Sequence, residues 1–134
     1  MSGLIIARNL LVNRSALTAL VPALRIISGV VPQGTALPVI SLMDISSTDR
    51  DTLTRAAFIK VTDRVQITVM AATYPAVKQV MAEVRKACRN LTGTVGNFAG
   101  ITCRLDGKGP DFNEPDAGFC MQSQDTLVTF NEAA

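Results

Sequence analysis

The sequence predicts an α+β domain: a largely antiparallel or mixed β-sheet of four to five strands packed against one long amphipathic helix and an N-terminal helical segment. Three observations carry that expectation. Residues 59–71 alternate, with Val61, Val65, Ile67 and Val69 on one face and Lys60, Thr62, Arg64, Gln66 and Thr68 on the other. That is the period of a half-buried strand. Residues 75–91 change to a helical period, in which Val77, Val80, Met81, Val84, Cys88 and Leu91 recur at spacings of three and four. The chain then closes on a long stretch of strand character, Gly118 to Asn131.

From the N-terminus, Leu4, Ala7, Leu10 and Leu11 share one face of a helical pattern over 3–12. Asn13 or Ser15 offers a side-chain oxygen to cap a second short helix, Ser15 to Leu20, which Pro22 closes. Arg25 to Ser28 reads as a short strand. Gly29 to Pro38 is a connection that must stop and restart: Pro32 and Pro38 cannot donate to a ladder, and Gly34 permits positive φ. Val39 to Ile45 is strand-like again. Ser46 to Arg55 is polar, with Asp49-Arg50-Asp51 at its centre, and predicts an exposed loop or hairpin tip.

Asp63 falls on the apolar face of the 59–71 strand, which predicts a bulge or the strand's edge there. After Thr73 or Tyr74, Pro75 suits the first turn of the long helix, where a missing N–H costs nothing. Lys78, Gln79, Glu83, Lys86 and Arg89 cover its outer side, and Gly93 is expected to end it. Gly100 to Leu105 alternates as another strand. Asp106 to Ala117, with two glycines, two prolines and four acids, reads as a loop. In the closing strand the apolar phase switches from Phe119 and Met121 to Val128 and Phe130, predicting a further bulge or a strand that outruns its sheet. The expected order is α-α-β-β-β-α-β-β.

At 134 residues without a linker-like or low-complexity segment, one domain spanning 1–134 is expected. Hydrophobic residues make up 48% and charged ones 18%. That is lean in charge for a soluble domain and suits a subunit that lives in an assembly. A net charge of +2 is too small to argue for nucleic acid or anionic membrane as a partner. The apolar run Leu4 to Ala7 is broken by Arg8, Asn9, Asn13 and Arg14, so no membrane span is expected, and no basic segment precedes it as in a secretory signal. Cys88, Cys103 and Cys120 show no CxxC spacing, and with no histidine there is no zinc site to complete. They read as small buried hydrophobes in a reducing compartment.

The lack of histidine also removes the commonest general base. No glycine-rich nucleotide loop is present, and Gly107-Lys108-Gly109 is a bare tripeptide. No enzyme activity, cofactor or metal is expected. The acids of the 106–116 loop match no EF-hand spacing and read as a solvated loop. Arg85, Lys86 and Arg89 complement a helix dipole. Arg50 and Arg55 stand on the expected protrusion, suited to a protein–protein or a nucleic-acid contact. The candidate protein–protein contact set is Asp49, Arg50, Asp51 and Arg55, with Asp111 and Glu114 from the acidic loop.

Several short motifs in a fixed order resemble the tail-completion (tail-terminator) proteins of long-tailed bacteriophages. They are Ala16 to Val21 with Arg25-Ile26, then Pro32-Gln33-Gly34 to Pro38-Val39, then Arg64 to Val69 followed by Ala71 to Tyr74 and the amphipathic helix. Asp111 to Pro115 and Gly118-Phe119 complete the series before the closing strand. The resemblance implies a non-enzymatic virion protein, assembled in the host cytoplasm. It would form a homo-oligomeric ring, usually a hexamer, that caps the tail tube and joins the head connector or neck protein. DNA would pass through only as cargo, and no membrane would be involved. The alternatives are another head–tail connector of the neck or stopper kind, or a small nucleic-acid-binding domain. The 46–56 segment, in which Ser46 to Asp51 include no apolar anchor, would order on joining a partner.

Overall fold

The computed structural model describes residues 2–32, 34–50, 58–95, 98–109, 112–114 and 118–133. The chain runs α1 (Ser2–Val12), α2 (Ser15–Thr18), a 3-10 turn at Ala23–Arg25, β1 (Ile26–Ser28), β2 (Val39–Arg50), β3 (Phe58–Ala71), α3 (Tyr74–Cys88), β4 (Leu91–Val95), β5 (Phe98–Lys108), β6 (Phe112–Glu114) and β7 (Phe119–Ala133). All the strands join one mixed sheet in the order β1-β2-β3-β7-β5-β4, with β6 pairing to β7 beside β5. Among the described residues only β1 and β2 run parallel. The α+β class and the mixed sheet agree with the sequence, but the described strands number seven rather than four to five. The two extra strands are β4, where more helix was expected, and β6, inside the expected acidic loop.

Helices α1 and α3 lie on one face of the sheet, here the inner face. Ile6, Ala7 and Leu11 of α1 and Val77, Val80, Met81 and Val84 of α3 join Val61, Val65, Ile67 and Val69 of β3 in one core. The buried stripe of α1 is Gly3, Ile6, Ala7 and Leu11, so Leu4 and Leu10 are its flanks rather than its centre. Asp63 explains the rotation. It is 2% exposed on the inner face of β3, its Oδ2 accepts the Gly3 N–H at 3.0 Å, and its Oδ1 accepts the Ser47 hydroxyl at 2.6 Å. A Cβ on Gly3 would lie 2.5 Å from Asp63 Cβ, so only glycine lets the first turn of α1 sit here.

No bulge therefore occurs at Asp63; β3 stays in phase past it. The bulge is in β2, where pairing passes from Asp44 with Val65 to Ser46 with Arg64 and leaves Ile45 extra. Ser46 to Arg50 are strand, not loop: they pair with Lys60 to Arg64 and extend β2 well past Ile45. The rest of the expected tip, including Asp51 and Arg55, lies outside the described residues.

The short second helix ends at Thr18, and its N-cap is Arg14, without a side-chain cap. Arg14 instead reaches across to α3, where its Nε meets Glu83 Oε2 at 2.9 Å. Thr73 caps α3 by accepting the Ala76 N–H at 3.4 Å, and Pro75 stands in the first turn. The helix stops at Cys88 rather than near Gly93, because Asn90 takes positive φ (44°) and turns the chain into β4. Leu91 accordingly begins a strand.

The closing strand corrects the sequence reading most. β7 pairs with β3 in unbroken register from Phe58–Ala133 to Ala71–Cys120. Its inner row is Gln122, Gln124, Thr126, Val128 and Phe130, all buried. The phase never switches; its first half is simply polar. The irregularity lies in β5 instead, between Leu105 and Gly107, and Asp106 to Lys108 are strand rather than loop.

Among the described residues no buried side-chain nitrogen or oxygen lacks a partner. Gln124, fully buried, accepts from Arg85 Nη1 at 2.7 Å and donates to the carbonyls of Gly107 (3.0 Å) and Asp125 (2.9 Å). Gln122 accepts from Lys78 Nζ at 3.1 Å and donates to the Gly109 carbonyl at 3.2 Å. Thr126 donates to the Val65 carbonyl at 3.3 Å. The basic face of α3 is thus partly turned toward the sheet: Lys78, expected on the outer side, is half-buried, as is Arg85.

Candidate functional site

Short β1 covers only Ile40 to Leu42 of β2. Beyond Leu42, among the described residues, β2 is paired on one side only, by β3. Met43 to Arg50 therefore forms a long exposed edge that includes two apolar side chains, Met43 (52% exposed) and Ile45 (48%). At the opposite end of the sheet, β4 pairs with β5 alone. The two open edges thus run in the same direction but differ in length and composition.

The outer face of the sheet, turned away from α1 and α3, divides in two. One half is apolar: Met43, Met70 and Met121 with Val30 and Val31 line a groove of about 410 Å³. The other half is polar and basic. Cross-strand register aligns Thr48, Thr62, Thr129, Thr102 and Thr92 in one row across five strands. Thr62 and Thr129 share a hydroxyl contact at 3.0 Å. The Ile45 bulge makes this row possible, since it resets the parity of β2 and brings Thr48 and Arg50 onto the outer face beside β3. Between the halves lies an ion network. Arg64 bonds Asp106 and, at 3.3 Å, Asp125; the hydrogen bond to Asp106 leads in holding its guanidinium above its ordinary pKa.

A second concavity, of about 340 Å³, lies between α3 and β5. Five basic side chains surround Met81 and Leu105 there: Lys78, Arg85, Lys86, Arg89 and Lys108. Three are engaged within the chain. Lys78 and Arg85 serve the buried glutamines, and Lys86 lies 3.6 Å from Glu83. Hydrogen bonding from Arg14, followed by the charge of Lys86, holds the Glu83 carboxyl below the usual glutamate range.

Of the sequence-derived contact residues, Asp49 and Arg50 are exposed at the far end of the open β2 edge. Glu114 lies in β6, while Asp51, Arg55 and Asp111 fall outside the described residues. The described members of the two groups are not brought together. Arg50 aligns through Lys60 with Asn131, and Glu114 with Phe119, at opposite ends of β7. That separation is about 40 Å at the rise of a strand, roughly 3.3 Å per residue. Sequence reasoning missed the threonine row, although Thr62 and Thr129 carry the right parity, because strand register is invisible before the fold is known. No candidate metal cluster occurs among the described residues. No helix among them is long and apolar enough to cross a membrane.

Comparison with known proteins completes the description. A family model described as "Tail completion protein gp17" matches residues 8–121. Among solved structures, a chain from the virion of a native gene transfer agent particle superposes with a TM-score of 0.75 at 16% identity. The match covers 96% of this chain and 93% of that one. No curated protein sequence matches.

Proposed function

The chain belongs to the tail completion protein gp17 family, structural proteins of the phage virion tail, and on that footing we propose that it is the subunit of a closed ring at the tail's head-proximal end. The ring caps the finished tail tube and receives the head connector. Its partners are further copies of itself, six by resemblance to tail terminators, together with the tail tube protein and the neck protein.

The observation that carries this reading is the open edge of β2. Eight residues of one-sided strand, two of them apolar and half exposed, invite uncontrolled pairing in an isolated molecule. A neighbour that covers this edge removes the liability and gains main-chain hydrogen bonds at once. The β4 end of the sheet offers a second, unlike edge, so contacts between successive copies are head-to-tail and close into a ring when the rotation fits a cyclic group. Asp49, with Asp51 and Arg55, fixes the register of that contact, while Arg50 stands at its margin with its side chain in the outer-face groove; Asp111 and Glu114 belong to a separate contact.

The test is assembly of a variant with a lysine at Ile45. The charge is expected to leave the monomer folded and to prevent rings at concentrations where the parent forms them, read by mass photometry and negative-stain microscopy. Rings from the variant as abundant as those of the parent would overturn the assignment of this edge.

A further inference from the structure

We propose that the polar half of the outer sheet face is a phosphate-binding surface that holds the backbone of duplex DNA. Arg50 and Lys60 flank the threonine row on one side and Arg104 on the other, and with Thr48, Thr62, Thr129 and Thr102 they line a groove of about 380 Å³. Short β-branched side chains form its floor and long cationic ones its walls. Arg50 stands directly opposite Lys60 across β2 and β3. Like charges so placed repel, and among the described residues no carboxylate is set between them. Asp106 and Asp125, the acids on that face beside the row, are already held by Arg64. Among the described residues this face therefore sets four cations, Arg50, Lys60, Arg64 and Arg104, against two carboxylates, an excess of positive charge that an anion would relieve.

The chemistry of the groove selects the anion. Threonine hydroxyls, lysine and arginine are the groups that contact phosphate oxygens and position a duplex without reading its bases. Among the described residues no aromatic side chain lines the groove, and with it the stacking platform that single strands use is missing from them. The row crosses five strands, about 19 Å at the usual strand spacing of ~4.8 Å, long enough to meet more than one phosphate. Three cations give a weak grip, suited to DNA that must pass rather than stay. The choice of duplex DNA as the polyanion rests on the junction reading above, whereas the anion surface does not. In a ring, this face would line the channel.

The experiment is fluorescence anisotropy of the full chain with a random-sequence 20-base-pair duplex across a salt series, together with an acidic peptide as competitor. Binding is expected at low salt, with a log–log slope of about −2.7 for three neutralised phosphates. The Arg50→Gln/Lys60→Gln/Arg104→Gln variant, folded by circular dichroism, should bind at least about tenfold more weakly and lose most of that slope. The Arg89→Gln/Lys108→Gln variant, altered in the α3–β5 concavity, should bind as the parent does. The inference is overturned if the parent does not bind, if the second variant loses binding while the first keeps it, or if the acidic peptide displaces the duplex stoichiometrically. A chain that binds DNA in this way yet never forms rings would keep this inference and lose the junction reading, so the two fail separately.

Discussion

The inner and outer faces of the β3–β7 pair use the same backbone to opposite ends. On β3 the contrast is plain: Val61, Val65, Ile67 and Val69 point in, while Lys60, Thr62, Arg64, Gln66 and Thr68 point out. On β7 both faces are polar from Gln122 to Thr126, yet Gln122, Gln124 and Thr126 are buried and Ser123 and Asp125 are half-exposed. Burial here follows geometry rather than hydropathy. α3 covers this part of the sheet with Lys78 and Arg85, whose stems pack while their heads find glutamine acceptors. A polar inner row is tolerable only because every buried donor and acceptor among the described residues is met.

Substitutions that reverse the two faces break this contrast most sharply. Val84→Asp places a carboxylate at a fully buried position of α3, a cost of several kcal/mol against a total of about 5–15, and the chain is expected not to fold. Gln79→Asp, on the exposed side of the same helix, should stay within about 0.5 kcal/mol of the parent in urea denaturation. Equal stabilities would mean that the stripe is misplaced.

Gln124→Leu is the more discriminating change. Hydropathy alone predicts a gain from a buried leucine. The structure gives a loss, about 1–3 kcal/mol for each strong partner left unmet, with Arg85 and the Gly107 carbonyl foremost. Thr129→Val, half-exposed on the outer face, should move the midpoint little. A more stable Gln124→Leu protein would show that the polar inner row is incidental.

Gly3→Ala tests the junction between helix and sheet. The added methyl meets Asp63 at 2.5 Å, so α1 must shift or lose its seat, at about 1–3 kcal/mol. Hydrogen exchange should rise in α1 before it rises in β3.

The smallest expected effect is electrostatic. Glu83 is held below its ordinary pKa in the folded chain, chiefly by the Arg14 hydrogen bond. Its contribution is therefore complete above the unfolded glutamate range, near 4.3, and fades as pH falls through the lower folded value. The stability difference between the parent and Glu83→Gln should narrow over that acid interval and stay constant above it.

How much of this was legible beforehand differs from element to element, for physical reasons. β3 and α3 were readable because each carries its core contacts on its own period. The Asp63 interruption was visible, but its meaning was not: the partners that satisfy it, Gly3 and Ser47, come from α1 and β2. Ser46 to Arg50 looked like a loop because every one of them is exposed, and an exposed edge strand leaves no hydropathy signal. Leu91 kept the helical spacing by coincidence, and Asn90 was the stop that Gly93 was expected to be. Of the candidate contact set, Asp49 and Arg50 do stand on an exposed edge. The threonine row could not have been found without register.

The central claim, that the inner face makes the fold while the β2 edge makes the assembly, is tested most directly by cryo-electron microscopy of the chain bound to tail tubes. The expected result is a ring of rotational symmetry at the tube end, with Met43 to Arg50 of each copy covered by its neighbour and the threonine row facing the channel. A two-fold dimer with the same surface on both copies in every condition, and bare tube ends, would contradict it.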